Sequence, residues 1–188
     1  MGDQLKKFGA TLAFSLLFAT AFSQQSASLG GNLLFLQKNF DYTVILRPWS
    51  NWDANPNWYV LSVKGDSLTA WRYDQTDLAR FDRSHKTDTS FHRVPILYAK
   101  LKNLRDTILK YDLFNLPNEL KEGCERRGSN CGINDGGYVD FMIISEGVFH
   151  RISYYAPYYY EKNCCPGSAN RKALLACSQT FMKYFRPD

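Results

Sequence analysis

Two stretches of alternating apolar and polar residues, each broken by a two-residue turn, frame this chain. The first is Trp58–Tyr73, reading WYVLSVK, Gly65-Asp66, SLTAWRY. The second is Tyr138–Tyr155, reading YVDFMIIS, Glu146-Gly147, VFHRISYY. A period of two predicts strands, so each stretch is a β-hairpin. Gly at the first loop position suits a type II′ turn at Gly65-Asp66, and Gly at the second suits type I′ at Glu146-Gly147. A two-residue loop fixes the register. It predicts Trp58 opposite Tyr73, Val60 opposite Trp71, Phe141 opposite Ile152 and Asp140 opposite Ser153. One face of the first hairpin then carries Tyr59, Leu61, Val63, Leu68, Ala70 and Arg72. One face of the second carries Val139, Phe141, Ile143, His150, Ile152 and Tyr154. These are the expected core faces. The opposite faces hold Trp58, Trp71 and Tyr73 in one hairpin, and Asp140 diagonal to Arg151, an expected ion pair, in the other.

Tyr42–Trp49 predicts a further strand with a β-branched centre, Thr43-Val44-Ile45, whose regular pairing Pro48 ends. Thr87–Val94 predicts another. Leu33–Leu36 fits a short helical turn or an edge strand equally well. Pro95 is suited to open a helix, and Leu97, Leu101, Leu104, Ile108 and Tyr111 recur at helical spacing to give it a buried stripe. A terminal helix is expected from the N-cap Ser168 to Phe185, buried along Leu174, Cys177 and Phe181. Between them, Tyr154–Tyr160 (YYAPYYY) places five tyrosines in seven residues around Pro157 and reads as a bend. The expected fold class is α+β: two layers, a mainly antiparallel sheet of about six strands, and two long helices on one face.

The N-terminus changes the domain count. Lys6 and Lys7 precede the mostly apolar Phe8–Phe22, and Ala21-Phe22-Ser23 offers small residues at a cleavage site. This is the pattern of a secretory signal, too short to span a bilayer. Residues 1–23 are therefore expected to be a signal peptide and 24–188 a single disulfide-stabilised domain, secreted or periplasmic, with no transmembrane segment in the mature chain. The five cysteines all follow residue 123. In an exported chain they pair. Cys177 falls on the buried stripe of the last helix and is the expected odd thiol. Cys124 and Cys131 precede the second hairpin and Cys164 and Cys165 follow it, so two bridges across its open end are expected, in either order. A local Cys124–Cys131 bridge is the rival. The spacing does not fit a zinc site.

The formal charge of +5 is mild, with no basic run longer than Arg126-Arg127, which argues against nucleic acid as partner. The sequence has no nucleophile elbow, no zinc-protease helix motif, no phosphate loop and no dinucleotide fingerprint. No cofactor and no metal are expected. His85, His92 and His150 read as structural, His150 on a core face.

Aromatic residues make up 15% of the chain, so some must reach the surface. Two groups stand out as candidate binding residues: Trp52, Trp58, Trp71 and Tyr73 around the first hairpin, and Tyr155, Tyr158, Tyr159 and Tyr160 at the bend. Tyrosine and tryptophan combine a rigid apolar ring with a polar tip, which suits recognition. The leading expectation is an exported non-catalytic binding protein for a protein, inhibitor-type, or for a glycan. The alternatives are a cell-surface glycan hydrolase with Asp53 or Asp135 as its acid, and a structural subunit of an envelope complex with the aromatic patch buried against its neighbour.

Overall fold

The computed structural model describes residues 31–49, 57–75, 89–119, 133 and 136–186. Within them the chain runs α1 (Gly31–Asn39), β1 (Tyr42–Trp49), β2 (Trp58–Lys64), β3 (Ser67–Gln75), β4 (Thr89–Arg93), α2 (Tyr98–Lys110), β5 (Tyr138–Ser145), β6 (Val148–Tyr155) and α3 (Ala169–Phe185). The six strands form one sheet in the order β4-β3-β2-β1-β5-β6, every neighbouring pair antiparallel. The fold is a two-layer α+β arrangement, as the alternation and the two helical stripes predict.

Both hairpins keep the register that their turns dictate. Trp58 pairs with Tyr73 and Val60 with Trp71; Phe141 pairs with Ile152 and Asp140 with Ser153. Gly65 takes φ 54° while Asp66 stays out of the positive region, as type II′ requires. Glu146 and Gly147 both take positive φ, 50° and 77°, as type I′ requires. β1 lies between the hairpins because it is apolar on both sides: Val44, Ile45 and Leu46 are all fully buried. Its pairing with β2 stops at Leu46, before Pro48, whereas its pairing with β5 continues to Trp49.

α2 and α3 cover one face. Val44, Leu46, Tyr59, Leu61, Phe141 and Ile152 meet Leu104, Ile108, Leu174 and Phe181 there. Phe181 sets its ring against Phe141 at 5.7 Å edge-on and against Phe185 at 5.7 Å stacked. Ser168 caps α3 by accepting the Arg171 N–H at 3.3 Å.

Several expectations change. Leu33–Leu36 resolves into the helix α1, which lies on the sheet's other face and drives Leu36 against Ile45, Val60, Met142 and Ile144. α2 begins at Tyr98, because the residue it was expected to bury, Leu97, is extended (ψ 136°) and 70% exposed. The tyrosine bend contains a one-turn helix, Pro157–Tyr159, that runs into a π-helical turn, Tyr160–Cys164; Ala156 at φ 43° turns the chain into it. His150 shares the helix-side face but sits on the outermost strand and is exposed.

The free edge of β6 is closed by the stretch after α2. Asn118 Oδ1 accepts the Ser153 N–H at 2.9 Å, a Glu119 carboxylate oxygen accepts the Tyr155 N–H at 3.0 Å, and the Tyr154 hydroxyl donates to the Pro117 carbonyl at 2.9 Å. Side-chain oxygens here take the place of a seventh strand's carbonyls and blunt an edge that would otherwise pair with another chain.

Candidate functional site

On the face opposite α2 and α3, one cross-strand row spans all six strands. Pairing puts Phe91, Tyr73 and Trp58 side by side on β4, β3 and β2, and Arg47, Asp140 and Ser153 side by side on β1, β5 and β6. The Arg47 guanidinium lies 5.5 Å from the Trp58 ring centroid and joins the halves. At about 4.8 Å per strand the row is about 24 Å long. Its first half is aromatic and its second half charged.

The aromatic half is a run of tilted, closely spaced rings. Trp58 and Tyr73 are 4.8 Å apart at 34°, and Tyr73 and Phe91 are 4.8 Å apart at 47°. Rings standing this close leave no room for a ligand ring between them. All three are partly exposed. Trp71, one row over and opposite Arg93, is instead covered by Phe35 at 6.5 Å and Phe40 at 6.3 Å, both edge-on. The indole N–H groups of Trp58 and Trp71 are enclosed and have no hydrogen-bond acceptor among the described residues. Each costs about 1–3 kcal/mol in desolvation, which the burial of the rings offsets.

In the charged half, Asp140 is buried and accepts from Arg151 at 2.6 Å and from the Ser153 hydroxyl at 2.5 Å. The ion pair expected from the register is therefore present. Burial pulls the Arg47 guanidinium below its ordinary value; Asp140 opposes that fall and Arg151 adds to it.

The tyrosine group divides. Tyr155 is a structural anchor: its hydroxyl donates to the Ile133 carbonyl at 2.8 Å and accepts the Gly136 N–H at 2.9 Å. Gly136 has no room for a side chain there, since a Cβ would stand 2.5 Å from the Ala156 Cβ. Tyr160 packs against Tyr159 at 5.8 Å and under the Arg171 guanidinium at 5.8 Å. Tyr158 is the most open of the four, at 46% exposed. The bend thus serves mainly to hold the chain. The structure does not bring it into the Trp58 row.

Trp52, Cys124, Cys131, Asp53, Asp135 and His85 lie outside the described residues. Among the described residues, no two cysteines are joined to each other, and no group of three or more His, Cys, Asp or Glu is placed to hold a metal ion.

The sequence reading missed a buried ion cluster. Arg171 on α3 reaches Glu119 at 3.0 Å and Glu161 at 3.6 Å, and donates to the Cys165 carbonyl at 2.9 Å. Its partners are 52 and 10 positions away in the chain, so no local spacing announces it. The one available signal was a charge next to the N-cap on a helix whose buried face it shares.

Cys177 is a free, buried thiol 4.0 Å from the Thr107 carbonyl. Burial pushes its pKa from 9.0 up to about 12. Above pH 9 the unfolded chain releases this proton while the folded chain keeps it, so stability falls as pH rises, until about pH 12. The slope from this one group is at most about 1.4 kcal/mol per pH unit. Burial also raises Tyr42 and Tyr154, which act in the same direction above pH 10. The urea midpoint is expected to be lower at about pH 10.5 than at about pH 8, and the difference to shrink in Cys177→Ala. An equal difference in the variant would remove Cys177 as the cause.

No family model, curated protein or solved structure matches this chain.

Proposed function

We propose that this chain is an exported, non-catalytic binding protein that contacts another protein through the aromatic ridge Trp58, Tyr73 and Phe91. The observation that carries this reading is the close packing of those tilted rings on one another, with centroids 4.8 Å apart. A sugar needs an open ring face to lie on. A row of close-packed, partly exposed rings with Arg47 and Arg93 beside it instead suits the apolar side chains and acidic rim of a protein surface, where aromatic and arginine residues contribute most. Asp140, the carboxylate beside the ridge, is committed to Arg151 and Ser153, which supports binding over hydrolysis. Export rests on the N-terminal pattern and the cysteine usage. With it goes the proposal that Cys124 and Cys131 bridge to Cys164 and Cys165.

The test is capture of a partner from the exported fraction on immobilised protein, followed by measured affinity for the captured species. Phe91→Asp and Tyr73→Ser are expected to weaken binding at least about tenfold, and Tyr158→Ala to leave it unchanged. A saturable tryptophan fluorescence shift with soluble glycans, lost in Trp58→Ala, would replace the protein partner with a glycan. Alkylation of the denatured, unreduced protein should modify one cysteine; five modified cysteines would remove export.

A further inference from the structure

The two outer strands of the sheet differ at their edges. β6 is closed by Asn118 and Glu119, which accept the Ser153 and Tyr155 N–H groups. β4 is the outermost strand on the other side. The Val94 N–H, just past its end, donates to the Ala70 carbonyl of β3 at 2.9 Å. In an antiparallel ladder, successive residues alternate in the side to which their N–H and C=O groups turn. With His92 opposite Arg72 and Phe91 opposite Tyr73, Ser90 and His92 therefore bond inward to β3, and Thr89, Phe91 and Arg93 turn their backbone groups outward. Among the described residues, nothing bonds to the outward N–H groups of Phe91 and Arg93.

An edge of this kind is a template for a further strand, and β4 matches itself. It has five residues, Thr89–Arg93, with Phe91 at the centre. Antiparallel pairing of two copies about Phe91 pairs all of them, and every other two-fold register pairs fewer. In this register Phe91 meets its own counterpart, and Arg93 meets Thr89 of the other copy. All of these residues turn their backbone groups outward, so each pair exchanges hydrogen bonds. The charges agree with it. Arg93 stands opposite Thr89 and His92 opposite Ser90, so no two basic residues face each other. Moving the axis to His92 would set the two histidines opposite one another, and moving it to Arg93 the two arginines, which is unfavourable.

We propose that this chain forms a two-fold dimer by antiparallel pairing of β4 with β4 of a second copy. The contact is isologous, as a closed dimer requires. The two sheets become one, and the row Trp58, Tyr73, Phe91 runs on into Phe91, Tyr73 and Trp58 of the other copy. An extended segment of another protein offers the same backbone groups, but the full-length match about Phe91 and the separation of the arginines belong to β4 with itself. Pairing uses the backbone of the edge and not the outer surface of the rings. The dimer therefore does not rest on the binding partner proposed above, and the two stand or fall separately.

The test is sedimentation velocity of the full mature chain in aqueous buffer, from about 1 to about 100 μM. No helix among the described residues is long and apolar enough to cross a membrane. The dimer fraction is expected to rise with concentration. Arg93→Pro removes an outward N–H and spares the bonds to β3, because proline is tolerated where the N–H faces away from the ladder. It is expected to raise the dimer dissociation constant at least about tenfold. Thr89→Glu sets a carboxylate opposite Arg93 and is expected to lower the constant about fivefold, whereas Thr89→Arg sets like charges opposite and is expected to raise it about fivefold. Unchanged far-ultraviolet circular dichroism at the lowest concentration shows that the variants fold. A monomer throughout the concentration range would overturn the proposal. So would a dimer indifferent to Arg93→Pro, or one that the two Thr89 changes affect alike.

Discussion

Replacing Arg171 with alanine is expected to lower the unfolding free energy by about 3–5 kcal/mol, read as a lower urea midpoint with an unchanged slope. Arg171 and Glu119 have side chains only 7% and 13% exposed and lie 3.0 Å apart. The cost comes less from losing their attraction than from leaving a carboxylate enclosed without its cation. Glu119 also accepts the Tyr155 N–H, so the strip that closes β6 loosens with it. A partly compensated variant separates these causes. Arg171→Met combined with Glu119→Gln removes both charges, keeps much of the volume and leaves a neutral amide carbonyl to accept the Tyr155 N–H. It is expected to recover part of the loss. If the double variant is as unstable as Arg171→Ala, the Glu119 charge is not the cause, and the Glu161 carboxylate left without Arg171, or lost packing against Tyr160, takes its place.

Phe181→Ala is expected to cost a similar amount, about 3–5 kcal/mol, for a different reason. Phe181 is fully buried between the sheet and α3, with Phe141 and Phe185 each at 5.7 Å. Removing the ring leaves a cavity lined by groups that cannot close on it, because Phe141 is held by strand pairing on both sides. Phe181→Leu should cost distinctly less, since it fills most of the space. Equal losses for the two variants would show that the site collapses freely and that the core there is not closely packed. The alanine loss is expected to be independent of pH near neutrality.

These two sites differ in how legible they were. Phe181 follows from periodicity, since its place on a stripe with Leu174 and Cys177 can be read within a single short window. Arg171 could not be read that way. A charged residue near a helix start ordinarily faces water, and it takes the return of the 117–119 stretch to the end of β6, with the turn Tyr160–Cys164, to bring carboxylates to meet it. The aromatic row shows the same division. The turn Gly65-Asp66 sets Trp58 beside Tyr73, which the alternation shows directly. That Phe91 extends the run, and that Arg47 links it to Asp140, depends on which strands are neighbours.

Coverage decides whether the first hairpin's aromatic face is open surface or core. Helix α1 divides the answer: its Phe35, with Phe40 just beyond it, packs edge-on against Trp71, and all four rings, Trp58, Trp71, Tyr73 and Phe91, end partly buried. α1 is short and weakly patterned, so its sequence does not announce where it packs. The bend at Tyr154–Tyr160 was legible as tyrosine-rich but not as structural, because the Tyr155 hydroxyl finds its partners in Ile133 and Gly136, 22 and 19 positions away.

The sequence by itself determined what local chemistry can fix: the strands and the two long helices, the two hairpin turns with their registers, the cap at Ser168 and most of the core faces. Each depends on side-chain period or on backbone angles within a few residues. Only the tertiary structure decided the strand order, the place of α1, the buried Arg171 cluster and the row linking the ridge to Asp140. Those depend on segments far apart in the chain meeting in space, and a linear pattern carries no record of which distant partner will satisfy a buried charge or cover an apolar face.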